Sequence, residues 1–433
     1  MELLYQYLWK QRMMGRRCVT VRGEDVEILY AGIHNTDAGP DFHDARIRIA
    51  GQVWAGNVEI HVRASDWHRH GHDNDPAYQN VILHAVAVDD TRVTGADGKE
   101  IPQMVISLPE SFYRMYEALS QRINAVACEH YLHLVPDLTR TDWLSTLGVE
   151  RLQAKARRIM DCAQSLGNDW NRTCFVSLAR ALGFNLNGDP FEILARSIPL
   201  NIIHHHSDDI LQIEALLFGQ AGMLDTSLHI FDEYYQTLAR EYFFLARKYG
   251  LRPMNVNMWK YARTRPQNFP HHRIALLSAA MTDGFTMLSD IWERRNNPDD
   301  IRELFRLTPS PYWLTHSDFD TPGSSAGHLS SGAVDLLMIN FTAPMLYAYS
   351  AARGDYESAE GAMAIWEGLN PENNTFIRQW MSAGMQPENA ADSQALLQLR
   401  KNYCDYARCL ECRFAAAILK SSAGIPFNCP ASS

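Results

Sequence analysis

Alternation of polar and apolar residues between positions 35 and 84 constrains the fold more than any other feature of this chain. In DARIRIAG the polar residues share one parity and the apolar residues share the other, which is the two-residue period of a half-buried strand. NVEIHV repeats this pattern, so Glu59 and His61 are expected to point to the same face. VILHAVAV is almost continuously apolar, as in a strand that is covered on both sides.

Changes of periodicity divide the chain into two parts. Residues 2–14 have apolar side chains at helical spacing, and short β-type runs separated by turns follow them. Beyond Pro136 the helical spacing continues to the end. The sequence therefore predicts an α+β domain over 1–135, with a helix, a mixed sheet and a short helix, and then a large all-helical domain over 136–433. The segment Thr308–Gly332, rich in Ser, Thr, Pro and Gly, predicts a long surface loop.

Composition is that of an ordinary globular protein. The 433 residues are 46% apolar and 21% charged, with a net charge of -10, which argues against non-specific coating of nucleic acid. The run MELLYQYLWKQRMMGRR lacks the apolar core of a secretory signal, and no window approaches the roughly 18 apolar residues of a membrane helix. We therefore expect a cytoplasmic protein with no membrane segment.

Eight cysteines are too few for a disulfide scaffold, so reduced thiols or a bound metal are expected.

Several specific strings carry a family resemblance. They include GNVEIHVRASDWHRHGHDNDPAYQNVILHAV, NTDAGPDF, LGFNLNGDPFEILARSIP and NYCDYARCLEC. These strings resemble an uncharacterised bacterial family, seen mostly in Bacteroidetes, whose domain has no known function. The resemblance extends over the full length and implies no activity, cofactor or partner.

The order of elements in the N-terminal domain resembles the PD-(D/E)xK nuclease superfamily. Both have a helix, strands, a loop and a strand, with an acid opening one strand and a Glu-x-basic motif on the next. The resemblance implies that Asp41 of the Pro40-Asp41 pair, or Asp44, is the first acid. Glu59 is then the second acid, and His61 takes the lysine position.

Such carboxylates can hold Mg²⁺ or Mn²⁺, which lowers the pKa of a bound water and neutralises charge on a phosphodiester. A neutral imidazole can serve that water as a base, although it lacks the permanent charge of lysine. We therefore predict a metal-dependent phosphodiesterase that acts on nucleic acid, with Asp41, Asp44 and Glu59 as ligands and His61 beside the water. The competing interpretation is a non-catalytic module whose helical domain binds a partner and whose N-terminal charges form a structural network.

The histidines offer a second metal chemistry. His68, His70 and His72 follow Trp67 as HRHGH, and alternate residues of an extended segment share a face. With His61, His84 or Asp75 they could ligate Zn²⁺, Mn²⁺ or Fe²⁺. The alternative is an exposed polar loop. His84, alone on an apolar strand, is more typical of a hydrogen-bonded core histidine than of a ligand.

Three cysteines near the C-terminus have the spacing of metal ligands. Cys404, Cys409 and Cys412 form C-x4-C-x2-C, and Cys429 follows, which matches the plant-type [2Fe–2S] spacing. Their thiolates could hold an iron–sulfur cluster or Zn²⁺. The alternative is structural thiols packed between helices.

Overall fold

The computed structural model describes residues 1–14, 18–121, 126–225, 231–262, 268–323 and 327–423. These residues form two compact units. The first unit contains Met1–Trp143, Arg378–Met385 and the described residues from Leu399 onward, and the second contains Leu144–Ile377 and Gln386–Gln398. The predicted fold class is confirmed, because a helix and a mixed sheet are followed by a long helical region. The predicted domain boundary at residues 135 and 136 stays a prediction.

Within the described residues, seven strands form the sheet of the first unit in the order β1-β2-β4-β5-β6-β7, with β3 paired to β4. The strands from β1 to β5 pair antiparallel, whereas β5, β6 and β7 are parallel. A bridge between Thr20 and Met104 joins the two edges of the sheet. The strands are β1 (Cys18–Val19), β2 (Asp25–Tyr30), β3 (Ile33–His34), β4 (Phe42–Ile49), β5 (Gln52–Arg63), β6 (Val81–Val88) and β7 (Gln103–Val105).

Helices of the first unit pack on this sheet and on each other. Helix α1 (Glu2–Lys10) and the short α2 (Asp66–Arg69) both pack against β5, and α2 lies in the crossover that makes β5 and β6 parallel. Helix α3 (Glu110–Ser120) packs against the C-terminal helix α19 (Arg413–Ser422). The last described segment of the chain is therefore part of the same unit as the N-terminal sheet.

Gly56 allows the close approach of the chain that leads into β6. A Cβ atom at this position of β5 would lie 2.6 Å from the carbonyl oxygen of Asn80 and 2.5 Å from Cγ2 of Ile82. Both distances are shorter than non-bonded contacts allow. Any side chain at position 56 would therefore push the start of β6 away from β5, on which the candidate site depends.

The Gly56→Ala variant is expected to be less stable than the wild type by about 1–3 kcal/mol, the usual cost of overpacking a buried position. Urea denaturation measures the difference. Gly51→Ala, in the turn that precedes β5, is the comparison, since a Cβ there meets open space, although its positive φ of 86° adds backbone strain. A Gly56→Ala protein as stable as the wild type would show that the β5–β6 spacing can relax.

The second unit is helical and has its own apolar core. Fully buried side chains at its centre include Phe175, Phe191, Phe218, Trp313 and Trp366. No helix among the described residues combines the length and the apolar character that crossing a membrane requires. From residue 137 to residue 399 the helices are α4 (Asp137–Ser165), α5 (Trp170–Leu182), α6 (Phe184–Ser197), α7 (Leu200–His205), α8 (Ile210–Gln220), α9 (Glu233–Tyr249), α10 (Pro270–Met281), α11 (Met287–Glu293), α12 (Pro298–Glu303), α13 (Tyr312–Thr315), α14 (Ser331–Leu337), α15 (Ala343–Ala352), α16 (Tyr356–Glu367), α17 (Thr375–Ser382) and α18 (Ala390–Leu399).

The prediction of a long surface loop over Thr308–Gly332 is wrong for the part that the structure describes. Helix α13 and a hairpin of β8 (His316–Asp318) and β9 (Thr321–Pro322) occupy this segment. Trp313 is fully buried and stacks on Phe218, with the ring centroids 4.9 Å apart. The small polar residues therefore surround aromatic anchors that tie the segment into the core.

Candidate metal centre

Strand β5 supplies the centre of the site. Glu59 and His61 are two residues apart on this strand, so their side chains share a face, as predicted. Both are almost completely buried, with 4% and 1% of their surfaces exposed, and Oε1 of Glu59 lies 3.4 Å from Nε2 of His61. A buried carboxylate beside a buried imidazole is costly unless each has a partner.

The three histidines of the HRHGH segment lie in two different environments. The segment is not extended, since α2 ends at Arg69 and a 3-10 turn spans His72–Asn74, so the predicted alternation of side chains does not apply. Nδ1 of His70 lies 3.2 Å from Nε2 of His61, and Nε2 of His72 lies 3.4 Å from Oε1 of Glu59. The exposed His68 instead pairs with Asp73 at 2.9 Å.

The distances among these donors suit one metal ion. One nitrogen each of His61, His70 and His72 lies within 4.8 Å of the others. Ligands about 2.0–2.1 Å from a tetrahedral ion are about 3.3–3.4 Å from each other, close to the separations of 3.2–3.4 Å measured here. Nε2 of His72 is buried and makes no hydrogen bond within the described residues. The three histidines can therefore hold a metal ion, with Glu59 as an adjacent carboxylate.

Asp41 joins this group from the start of β4. Its backbone N–H donates to Oε2 of Glu59 at 3.1 Å, and its own carboxylate accepts from the backbone N–H of Ile60 at 3.0 Å. Gln6 of α1 donates to the other oxygen of Asp41 at 2.8 Å. These bonds connect the two carboxylates of the predicted pair through the backbone of adjacent strands.

Asp44 lies apart from these side chains. It is exposed, it has a left-handed φ of 56°, and it occupies a register shift between β4 and β5. Its backbone N–H donates to the side chain of Asn57. The structure thus brings Asp41, Glu59, His61, His70 and His72 together but not Asp44 or His68, whose roles as ligands stay predictions.

His84 supports His61 from the neighbouring strand. It is fully buried on β6, and its Nε2 lies 2.9 Å from Nδ1 of His61. One proton must lie between these two nitrogens. When Nδ1 of His61 carries it, Nε2 presents a lone pair towards Glu59 and His70, which is the tautomer that a metal ligand requires.

Burial sets the protonation states in this group. It lowers the pKa of His61 to about 3, with His84, His72 and His70 adding to the effect, and it lowers the pKa of His84 to about 3 as well. Both imidazoles are therefore neutral at neutral pH. Burial, reinforced by the Glu59 carboxylate, raises the pKa of Asp41 to about 8. A cation bound among these groups would lower the pKa of Asp41 again and favour its charged carboxylate.

The raised pKa of Asp41 makes the metal-free protein less stable as the pH rises. A carboxyl that titrates at 3.8 when unfolded and at about 8 when folded binds more protons in the folded state between those values. Its contribution to stability is therefore complete below 3.8 and is lost as the pH rises through about 8. We expect Asp41→Asn to become progressively more stable than the wild type from about pH 4 to pH 8 in chelator. Urea denaturation at each pH measures the difference in unfolding free energy between the variant and the wild type. A difference that stays constant across this range would contradict the raised pKa of Asp41.

Sequence reasoning missed two contributors from α1. Gln6 anchors Asp41, and Glu2 is close enough that His70 and Glu59 both influence its pKa, which is raised mainly by burial. The only available signal was polar residues on an otherwise apolar helix face. Asp66, buried on α2 and bonded to the backbone N–H of Arg63, was also missed.

The C-terminal cysteines lie on irregular segments before α19. A π-helical turn spans Arg400–Cys404, a 3-10 turn spans Cys409–Glu411, and Cys412 caps the start of α19. Cys429 lies outside the described residues. Cys404 and Cys409 are partly exposed, whereas Cys412 is buried.

A family model described as "Protein of unknown function (DUF2851)" matches residues 2–375. The match covers most of the chain, which belongs to this family, and the predicted resemblance to an uncharacterised family is confirmed over these residues. The string NYCDYARCLEC lies beyond the matched residues. Neither a curated protein nor a solved structure matches the chain.

Proposed function

We propose that the first unit is a divalent-metal-dependent phosphodiesterase of the nuclease type, with its site at Asp41, Glu59 and His61. The observation that carries the proposal is the grouping of one nitrogen each of His61, His70 and His72 within 4.8 Å of one another, with Oε1 of Glu59 3.4 Å from two of them. These separations match those of ligands around a single ion. Mutually oriented donors of this kind, of which Glu59 and His61 are buried, are typical of a functional site.

The topology around the site supports the reaction class. An N-terminal helix, antiparallel strands, a helical crossover and a parallel strand follow one another, as in the PD-(D/E)xK superfamily. Asp41 precedes β4 and is followed on β5 by Glu59-Ile60-His61, the positions at which that superfamily has its acid and its Glu-x-basic motif. The histidine ligands around them are an addition to that pattern.

Each residue has a role that its contacts suggest. Asp41 and Glu59 would supply carboxylate oxygens to Mg²⁺, Mn²⁺ or Zn²⁺, and His61 would present Nε2, oriented by His84. The ion would lower the pKa of a bound water and neutralise charge on the phosphodiester. Because burial depresses the pKa of His61, its imidazole is neutral at neutral pH and its Nε2 lone pair is available to bind the ion.

A groove beside the site favours a polyanionic substrate. It has a volume of about 1430 Å³ and is lined by Gln6, which also donates to Asp41. Among its lining side chains are four cations, Lys10, Arg408, Arg413 and Lys420, and two acids, Asp142 and Glu411, which pair with Arg413 and Arg408. This excess of cations stands out in a chain with a net charge of -10, and it suits the phosphates of a nucleic acid.

The test is hydrolysis by the full chain, stripped of metal and reloaded with Mg²⁺, Mn²⁺ or Zn²⁺. We expect cleavage of single- or double-stranded DNA or RNA that depends on the metal and stops with a chelator. A protein that binds metal but cleaves neither nucleic acid nor bis-p-nitrophenyl phosphate would contradict the phosphodiesterase. The histidine-rich ligand set would then favour a Zn²⁺, Mn²⁺ or Fe²⁺ centre of other chemistry.

Failure to bind any metal would instead favour the non-catalytic alternative, in which the polar cluster is structural and the helical unit binds a partner. A cytoplasmic location is part of the proposal, because the described cysteines form no disulfide bond with one another. Fractionation of the cells that make the protein tests the location.

A further inference from the structure

Helix α10 of the second unit begins with positive charge and no negative partner of its own. Its first turn has no acidic residue and no side-chain cap, and its first residue is a proline. The free N–H groups at the start of a helix carry a partial positive charge, which favours an anion there and disfavours a cation. The fourth residue of α10 is nevertheless an arginine, Arg273. Two positive features therefore lie together at this end of the helix.

Arg273 is buried without a carboxylate. Only 5% of its surface is exposed, and Nε and Nη1 of its guanidinium make no hydrogen bond within the described residues. Every Asp and Glu of the chain belongs to those residues. None of them forms an ion pair with Arg273 or influences its pKa, which burial alone lowers to about 10. The cation therefore has no counter-ion in the described structure.

The groups that do contact the Arg273 guanidinium are neutral. Nη2 donates to Oδ1 of Asn268 at 2.6 Å, and the guanidinium carbon lies 4.7 Å from the centre of the Phe184 ring. The neighbouring His272 is neutral as well, because burial and, to a smaller extent, Arg273 lower its pKa to about 4. One amide oxygen and one aromatic face replace only part of the hydration that a full charge loses on burial.

The acid that does reach the first turn of α10 is already engaged. Oδ1 of Asp318, on β8, lies 3.1 Å from Nε2 of His271. His271 and Arg273 are two positions apart on the helix, and side chains at this spacing do not face each other. The pair of Asp318 and His271 therefore leaves the charge of Arg273 without compensation.

Asn268 covers the edge of the guanidinium at which an anion would bind. It is an exposed residue that lies just outside the start of α10. Its bond occupies Nη2 and leaves Nη1 of the same edge without a partner in the described part of the chain. Nη1 and Nη2 together form a fork of the kind with which arginine binds two oxygens of one anion. Rotation of the exposed Asn268 side chain would present this fork at the N-terminus of the helix.

We propose that Arg273 and the N-terminus of α10 bind a phosphate group, and that the carboxamide of Asn268 takes its place when no ligand is bound. Phosphate suits both parts of the site, because its oxygens match the fork of the guanidinium and accept N–H groups at the start of a helix. Binding would supply the negative charge that the buried arginine lacks. The site belongs to the second unit and shares no residue with the metal centre.

The test is the melting temperature of the full chain, freed of metal, in inorganic phosphate and in chloride at equal ionic strength. Phosphate at about 100 times its dissociation constant should raise the melting temperature of the wild type by about 5 °C. Asn268→Asp keeps the arginine but should lose this response, because its carboxylate would pair with Arg273 permanently. The same variant should melt at a higher temperature than the wild type in chloride.

Arg273→Met should also lose the response to phosphate, since it removes the fork. Arg306→Met is the matched control, because Arg306 is an exposed arginine of the second unit that pairs with Glu303; it should keep the response. Glycerol phosphate, measured beside inorganic phosphate, distinguishes a free anion from the phosphate group of a larger ligand, which would bind more tightly.

Three results overturn the inference. A wild type that phosphate does not stabilise would show that Arg273 only packs against its neighbours. A phosphate response that Asn268→Asp and Arg273→Met both keep would place the anion elsewhere. Stabilisation by acetate but not by phosphate would overturn the phosphate assignment. Glu59→Gln separates this site from the metal centre, since it should keep the phosphate response whether or not the protein cleaves nucleic acid.

Discussion

Glu59→Gln is expected to lose about 100-fold or more in affinity for Mn²⁺, since loss of outer-shell groups alone costs about 10–100-fold. The amide oxygen of the glutamine can still accept the N–H of Asp41, as Oε2 of Glu59 does. That orientation turns the amide NH₂ towards His61 and His72, where Oε1 of Glu59 now lies. An anionic ligand atom is thus replaced by a hydrogen-bond donor, in nearly the same volume.

Isothermal titration of metal-free protein measures this loss, and nucleic-acid cleavage should fall in parallel. Glu27→Gln provides the matched control, because Glu27 is an exposed glutamate of the same sheet that pairs with Arg48; its metal affinity should equal that of the wild type. If Glu59→Gln binds Mn²⁺ as tightly as Glu27→Gln does, the carboxylate is not part of the metal site.

The second large effect is expected for His72→Phe. His72 stacks on Tyr78, with ring centroids 3.7 Å apart, and meets Trp67 edge to face. A phenyl ring can keep both contacts but removes both ring nitrogens, of which Nε2 makes no hydrogen bond in the described part of the chain. We therefore expect the metal-free variant to keep its melting temperature within about 2 °C, while the stabilisation by added Mn²⁺ disappears.

For the wild type, metal at about 100 times its dissociation constant should add about 2.7 kcal/mol of stability. His68→Phe is the comparison within the same motif: His68 faces Asp73 and the backbone of Arg92, so this variant should keep the response to Mn²⁺. Equal loss of the response in both variants would mean that the HRHGH segment binds metal as a whole, in a conformation different from the one described here.

Parity along the strands made part of the site predictable. Glu59 and His61 are two residues apart in a strand, so no tertiary information was needed to place them on one face. Asp41 could be predicted only through the resemblance to a known motif. It precedes its strand, so the alternation of side chains along that strand does not say to which face it points. Asp44 lies within β4 at a register shift between β4 and β5, where strict alternation does not place its side chain.

Contacts between distant segments were beyond sequence reasoning. The short α2 and the following 3-10 turn direct His68 away from His70 and His72. Both elements are too short for a helical spacing of apolar residues to be recognised in the sequence. Glu2 and Gln6 reach the site because α1 packs on β5.

Crystals of the full chain soaked in Mn²⁺ and recorded at the manganese absorption edge test the central claim most directly. The account predicts one anomalous peak in the first unit, within about 2.0–2.3 Å of Oε1 of Glu59, Nε2 of His61 and of His72, and Nδ1 of His70. An empty cluster, or a peak bound only by surface carboxylates such as Asp44, would contradict it.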